Sequence, residues 1–315
     1  MSGARVVSVG HYQPERVLTN AELSDRLDTS DEWIRRRVGI AERRVAAPNE
    51  SVADMAIPAA RRALEASGLS IGDIDLIVVA TCTNHDRSPN TAAVVAAALG
   101  AQSPAVLDVN VVCSGFCHAL AVADHAIGAG SARNAIVIGA EKFTDFVNWD
   151  DRSTCILVGD GAGAVVLSAD ADDERAVGPV VWGSVPEMGA AVVIREIEDG
   201  GFTQAGQSVF RWTTTQLPVI ARRICDAAGV APEELGGIVL HQANLRIITP
   251  LAAAIGAPQA EVATDVVESG NTSAASIPLA LSKLVQSGRV ASGAPILLFG
   301  FGGGLAYAGQ VIRCP

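Results

Sequence analysis

Aromatic side chains are scarce in this chain, at 4% of residues, and charged residues make up only 18%. No apolar stretch reaches the length of a membrane span, and no basic run is interleaved with aromatics. Each shortage excludes something. Low charge beside 49% hydrophobic residues excludes a disordered chain. Without a long apolar stretch, a spanning helix is not expected. A net charge of −11 without a basic run argues against nucleic acid as a partner, although Arg35, Arg36 and Arg37 form a local basic patch. The six cysteines (Cys82, Cys113, Cys117, Cys155, Cys225 and Cys314) show no paired framework. They read as reduced thiols of a cytoplasmic protein. The spacing Cys113-x-x-x-Cys117-His118 has no second ligand pair after it, so no metal is expected. The first ten residues lack the apolar core of a signal peptide and read as a strand.

What is abundant is alanine, valine, isoleucine and glycine, the composition of helices packed closely on sheets. The chain's 315 residues suit one large domain or two halves, and a self-comparison supports two. Ala60-Arg-Arg-Ala-Leu-Glu-Ala-Ser-Gly-Leu69 matches Ala221-Arg-Arg-Ile-Cys-Asp-Ala-Ala-Gly-Val230 at an offset of 161. The same offset carries Ile77-Val-Val79 onto Ile238-Val-Leu240, Asn110 onto Asn271, Ala119-Leu120 onto Ala280-Leu281 and Gly139 onto Gly300. Matches held in one register over this length imply a duplicated unit. Each copy predicts a helix ending at a glycine (Gly68 or Gly229), then a buried strand (75–81 or 236–241). A second strand follows (106–112 or 262–267), then a helix (115–129 or 276–286) and a last strand (135–139 or 296–300). Strands that are apolar throughout must be covered on both faces. The expected fold is therefore α/β, two halves stacked as five layers α-β-α-β-α, divided into 1–170 and 171–315. The acidic stretch 169–176 is the expected junction. The irregular segment 184–208 has no counterpart at the offset and reads as an insertion or lid.

Three positions carry candidate chemistry. Cys113 falls where a strand turns into a helix, a placement that lowers a thiol pKa and keeps the sulfur exposed. The competing reading is an inert core thiol. His241 ends a buried strand, where α/β proteins place their sites. Asn271 lies in Ser-Gly-Asn-Thr-Ser-Ala-Ala-Ser before a helix, and taken alone it is an ordinary turn residue. The offset sets Cys113 opposite Ala274 and His241 opposite Ala80, so both copies place their chemistry at the same end of their sheets, near the axis relating the halves.

The motifs resemble those of the β-ketoacyl-acyl-carrier-protein (ACP) synthase III family of thiolase-like condensing enzymes. They are Thr29-Ser-Asp-Glu-Trp-Ile34 with Arg37, Cys113-Ser-Gly-Phe116, Gly159-Asp-Gly-Ala-Gly163, His241-Gln-Ala-Asn-Leu-Arg-Ile247, Gly270-Asn-Thr-Ser-Ala-Ala-Ser276 and Phe301-Gly-Gly-Gly304. The resemblance implies the thiolase fold and a Cys-His-Asn catalytic set of Cys113, His241 and Asn271. Cys113 would take an acyl group from acyl-CoA and condense it with malonyl-ACP or malonyl-CoA, with loss of CO₂. The backbone N–H groups of Cys113 and Gly303 would hold the oxyanion. Thr29, Trp33, Arg37, Arg152, Phe210, Ala243 and Asn244 would bind CoA, with adenine between Trp33 and Arg152. Ser88 and Phe301 would belong to the acyl pocket, Ser88 acting on the partner subunit of a homodimer. Acyl-CoA and malonyl thioester would be substrates, and no cofactor is implied.

Three departures from the family pattern matter. Ser88 replaces a pocket-closing phenylalanine, which implies a primer larger than acetyl. Ala253 and Ala254 replace a lysine pair used for the carrier protein, leaving Arg211 and Arg246 as the nearby basic contacts. The segment from Gly163 to Phe210 is somewhat short. A related acyltransferase of secondary metabolism, passing its acyl group to a non-malonyl acceptor, is the alternative reading. A catalytically silent partner subunit is a third, and the presence of all three chemical residues argues against it.

Overall fold

Two five-stranded sheets with the same strand permutation make up the framework. The computed structural model describes residues 3–169 and 177–315, so the expected junction and the boundary at 170/171 lie outside the described residues. The first sheet runs Ala4–Tyr12, Asp160–Ala169, Asn134–Lys142, Leu76–Ala80, Ala105–Val109. The second runs Val181–Ser184, Ala306–Arg313, Pro295–Gly302, Gly237–Leu240, Glu261–Val262. In each, the first two pairings are antiparallel and the last two parallel. The repeat read from the sequence is thus a repeat of topology.

Local signals place the helices. Val52–Ser67 starts at a capping box of Ser51 with Asp54 and stops at Gly68, whose φ of 72° is the left-handed value that favours glycine. Its counterpart Leu217–Ala228 stops in the same way at Gly229, φ 64°. These two helices cover the outer faces of their sheets, while Gly115–Gly128 and Ser276–Gln286 lie between the sheets. The five layers are α-β-α-β-α, the thiolase fold. An apolar cluster drawn from both sheets and both central helices fills the middle, including Val78, Leu120, Val137, Leu281 and Leu298. Each such side chain contributes ~1.5–3 kcal/mol by leaving water.

The central layer is seated on glycine. A Cβ on Gly163 would lie 2.4 Å from the backbone of both Pro278 and Leu279. One on Gly139 would lie 2.3 Å from the Ala274 carbonyl oxygen. Gly163→Ala is expected to lower stability by about 3 kcal/mol, because backbone, not a flexible side chain, must yield. Urea unfolding checks this; an unchanged midpoint contradicts it.

One expectation needs correction. The strand expected over 262–267 is only Glu261–Val262, followed by a short helix, Val266–Ser269. Gln242 takes the Ala263 carbonyl and the Val266 N–H with its side-chain amide, which diverts the backbone from the ladder. The segment 184–208 is mostly 3₁₀ turns plus one two-residue strand pair, Val192–Val193 with Thr203–Gln204. It is not detached from the core, since Phe202 is buried against Phe143.

Candidate active site

The strand Ala105–Val109 leads into a 3₁₀ turn, Val112–Ser114, and then the helix Gly115–Gly128. Val112 holds φ at 45°, an unfavourable value for a β-branched residue. The second copy bends in the same way: Ser273, at the same offset, holds φ at 46° in the turn Ser273–Ala275. The two elbows meet at the centre of the molecule, one presenting Cys113 and the other following Asn271.

Cys113 is only 7% exposed and lines an enclosed cavity. The Ser273 hydroxyl and the N–H groups of Gly303 and of Cys113 itself act to lower its thiol pKa. Gly302 has to be glycine here, since a Cβ would lie 2.6 Å from the Cys113 Cβ and 2.9 Å from its sulfur. The expectation of an exposed thiol with a lowered pKa is corrected. Burial pushes the thiol up to about 11, and the nearby Glu141 carboxylate adds to the rise against the three donors. The loss of water around the sulfur is the largest cause.

His241 follows the strand Gly237–Leu240 and is 2% exposed. The Ser276 Oγ lies 2.8 Å from its Nδ1 and also accepts the Gln242 N–H at 3.3 Å. Either atom of that pair can be the donor; with the serine as donor the imidazole proton sits on Nε2. Burial lowers the His241 pKa to about 3, so the ring is neutral. Its plane packs edge-on against Phe301 at 5.5 Å between centroids.

Asn271 is fixed by three bonds. Its N–H donates to the Leu157 carbonyl at 2.7 Å, and its carbonyl accepts from Gly159 N–H at 3.1 Å. Its Oδ1 accepts from Ser273 N–H at 2.9 Å. With the oxygen spent on the elbow, the amide offers only donors elsewhere. Asn271, His241 and Cys113 line the same cavity with Phe301, Gly303, Ala243 and Asn244, as the motifs implied. The site therefore holds one thiol, two neutral donors, a pair of backbone N–H groups and apolar walls, an arrangement suited to carbonyl chemistry in a dry pocket.

Comparison with known proteins places the whole chain. Residues 107–186 match the family described as 3-oxoacyl-[acyl-carrier-protein (ACP)] synthase III, and residues 225–314 match its C-terminal part. The chain belongs to the β-ketoacyl-ACP synthase III family. It is 63% identical over 316 residues to β-ketoacyl-[acyl-carrier-protein] synthase III 2 of Streptomyces avermitilis, covering 100% of both chains. It is 62% identical to synthase III 4 of Streptomyces coelicolor, covering 99% of both. Among solved structures it is similar to a priming β-ketosynthase of a polyketide biosynthetic pathway, with a TM-score of 0.96, 39% identity and coverage of 100% of this chain and 97% of the other. Synthase III of Aquifex aeolicus superposes with a TM-score of 0.93 at 40% identity, covering 99% of this chain and 100% of the other. The chain is a condensing acyltransferase.

Within this synthase III, the remaining sequence-derived positions fall into three groups. Trp33 and Arg152 meet, with the guanidinium 5.2 Å from the indole centroid, and Arg152 also bonds to Asp28. Arg37 is exposed on the same helix as Trp33, Asp31–Val38, which packs on the helix Leu245–Ile255 just after Ala243 and Asn244. Thr29, just before that helix, keeps a buried hydroxyl without a partner in its own chain. Phe210 does not line the cavity. It is 41% exposed on the helix Gly206–Thr215, and Val209, Trp212 and Thr213 of that helix supply the wall instead. Helical spacing turns residue 210 away from the face that holds 209, 212 and 213. Ser88 is exposed on the loop before the helix Thr91–Leu99 and takes no part in its own chain's cavity. Arg211 and Arg246 are exposed, and Arg222 adds a cation beside the alanine pair by donating to the Ala254 carbonyl at 3.1 Å.

Sequence reasoning missed Ser273, Ser276, Gly302, Glu141 and the cavity walls from Phe143, Leu157, Val192, Ile194 and Phe202. Ser273 had a usable signal, because the offset sets it opposite Val112 in the other elbow. Glu141 had another, as the one acid of a strand whose middle, 135–140, is apolar.

Proposed function

We propose that Cys113 takes an acyl group from acyl-CoA and that the enzyme joins it to malonyl-ACP, or malonyl-CoA, with loss of CO₂. The observation that carries this reading is a neutral imidazole, His241, and the Asn271 amide in the cavity that holds the thiol; the reading takes His241 with its proton on Nε2. In the first step the sulfur attacks the thioester carbonyl while the N–H groups of Cys113 and Gly303 receive the developing oxyanion, and CoA leaves as its thiolate. In the second, the malonyl thioester carbonyl accepts from His241 and Asn271. The C–C bond to the carboxylate breaks, CO₂ leaves, and its electron pair forms an enolate that those donors stabilise. The enolate carbon attacks the acyl-enzyme carbonyl and Cys113 is released. Neither donor titrates in this role, so no general base is required for decarboxylation. CO₂ release from a malonyl thioester, one per acyl group consumed, tests the reading. Transfer of the acyl group without CO₂ would establish the acyltransferase alternative instead.

CoA would lie along Thr29, Trp33, Arg37, Arg152, Ala243 and Asn244. The adenine would enter between Trp33 and Arg152, which touch each other in its absence. Arg152→Ala is expected to raise KM for acyl-CoA about 5-fold at unchanged kcat. A kcat effect without a KM effect would remove Arg152 from the CoA site.

The walls are apolar and the residue at the partner-facing gate is the small Ser88, so the primer would exceed acetyl. Turnover of C4–C12 acyl-CoAs is expected to surpass that of acetyl-CoA; a strong acetyl preference contradicts this. A homodimer is supported by an asymmetry between the repeats. Ala105–Val109 is a five-residue sheet edge, apolar apart from Asp108, whereas its counterpart Glu261–Val262 has two residues. A long unpaired edge invites a second strand, and two copies joined there would bring Ser88 toward the neighbouring site. Arg211, Arg222 and Arg246 would meet the acidic carrier protein. We place the enzyme in the cytoplasm; among the described residues no helix is long and apolar enough to cross a membrane.

A further inference from the structure

Arg43 is a charged side chain sealed in the interior, 0% exposed, with no carboxylate among its hydrogen-bond partners. It stands on the strand Glu42–Val45, which pairs with Arg16–Thr19 in a small sheet outside the two main ones. Its Nη1 donates to the Leu18 carbonyl at 3.2 Å and to Asn20 Oδ1 at 2.8 Å, and its Nη2 donates to the Ile156 carbonyl at 2.8 Å. Its Nε has no partner among the described residues. Burial lowers its pKa to about 10, which leaves it charged at neutral pH. A buried charge held only by neutral oxygens is a poor source of stability. What the planar fork supplies is fixed geometry, with separate segments of the chain held on one rigid group.

That geometry leads to Asn271. Leu157, the residue after Ile156, accepts the Asn271 N–H at 2.7 Å, and the Gly159 N–H donates to the Asn271 carbonyl at 3.1 Å. The segment 157–159 thus clasps the Asn271 backbone as a short parallel bridge. The Arg43 stem passes both halves of this clasp. A Cβ on Gly159 would lie 3.2 Å from the Arg43 Cβ, and one on Gly270 would lie 3.1 Å from it. Glycine at both positions leaves the stem its room. The other groups of the site are held differently. His241 is fixed by Ser276 and by its N–H to the Phe299 carbonyl. Asn20 keeps its bonds to the Ile40 carbonyl and to Asp31, 2.8 Å each, so the helix that carries Trp33 does not hang on the guanidinium. We propose that Arg43 is a positioning residue of the condensation step: by holding the Ile156 carbonyl it fixes the segment 156–159, and through it the place of the Asn271 amide. Arg43 touches no substrate. The role rests on the reading of Asn271 as a donor to the enolate.

The test is a double-mutant cycle on CO₂ release from the malonyl thioester that the unmodified enzyme turns over, with the mass of acylated Cys113 measured on the same samples. Arg43→Lys keeps the charge and loses the fork, so it cannot hold Ile156 and Asn20 together. The variant is expected to take up its acyl group at the ordinary rate and to release CO₂ ~10- to 100-fold more slowly, since a displacement on the order of 1 Å is enough to lose a donor's effect. In an Asn271→Ala background the same change is expected to cost less than about twofold, because the group that Arg43 positions is already gone. A merely structural role would slow both backgrounds alike. Three results overturn the proposal: ordinary CO₂ release in Arg43→Lys, a further loss of ~10-fold in the Asn271→Ala background, or loss of acylation together with CO₂ release in Arg43→Lys. The Asn271 reading fails separately, by ordinary CO₂ release in Asn271→Ala alone.

Discussion

Replacing Asn271 with alanine is expected to lower condensation by ~100- to 1000-fold while Cys113 still takes up its acyl group at the ordinary rate. The split follows from the geometry. Asn271 gives its oxygen to Ser273 N–H at 2.9 Å, so what it offers the cavity is a fixed N–H donor. That donor faces no charge while the sulfur is being acylated, because the oxyanion of that step belongs to Cys113 and Gly303 N–H. It matters when the malonyl carboxylate leaves and the enolate oxygen forms. Losing one donor to such an oxygen raises the barrier by ~3–4 kcal/mol. Asn271→Asp is expected to be as slow as the alanine variant. A carboxylate accepts the Ser273 N–H equally well but presents a lone pair to the enolate where the amide presented a proton. CO₂ release and acyl-enzyme mass, measured on the same samples, separate the two steps. Equal loss of both in Asn271→Ala would show that the residue serves the cavity's shape and not the enolate.

Cys113→Ala removes the acyl carrier altogether. No mass is added by acyl-CoA and no condensed product forms. Decarboxylation of the malonyl thioester nevertheless continues, uncoupled from any acceptor. The reason is that His241 is oriented by Ser276 at 2.8 Å and Asn271 by Ser273, and neither leans on the sulfur. The enolate then takes a proton from water. CO₂ release without β-ketoacyl product is the expected signature. Loss of decarboxylation along with condensation would mean that the thiol itself organises the malonyl site.

The duplication, the two elbows and the three chemical residues were legible in the sequence, for a physical reason. A sheet-end turn into a helix needs small residues at fixed spacing, and the repeat presents that need twice, at Val112–Ser114 and Ser273–Ala275. The raised pKa of Cys113 was not legible. It depends first on burial and then on groups such as the Glu141 carboxylate of another strand, and both are brought about by the sheet stacking and not by neighbours in the chain. The cavity wall was legible only in part, since a motif match identifies the helix Gly206–Thr215 but not that Val209, Trp212 and Thr213 are its cavity-facing residues. The strand expected over 262–267 failed because an apolar run was credited to the ladder, when Gln242 had already claimed its backbone groups.

The most direct test of the central claim is intact-protein mass spectrometry after exposure to a mixed pool of acyl-CoAs, followed by a malonyl thioester. We expect one acyl group larger than acetyl, located on Cys113, which disappears with release of one CO₂ and appearance of a β-ketoacyl thioester. An adduct on another residue, or an acyl group that leaves Cys113 without CO₂, would contradict the account.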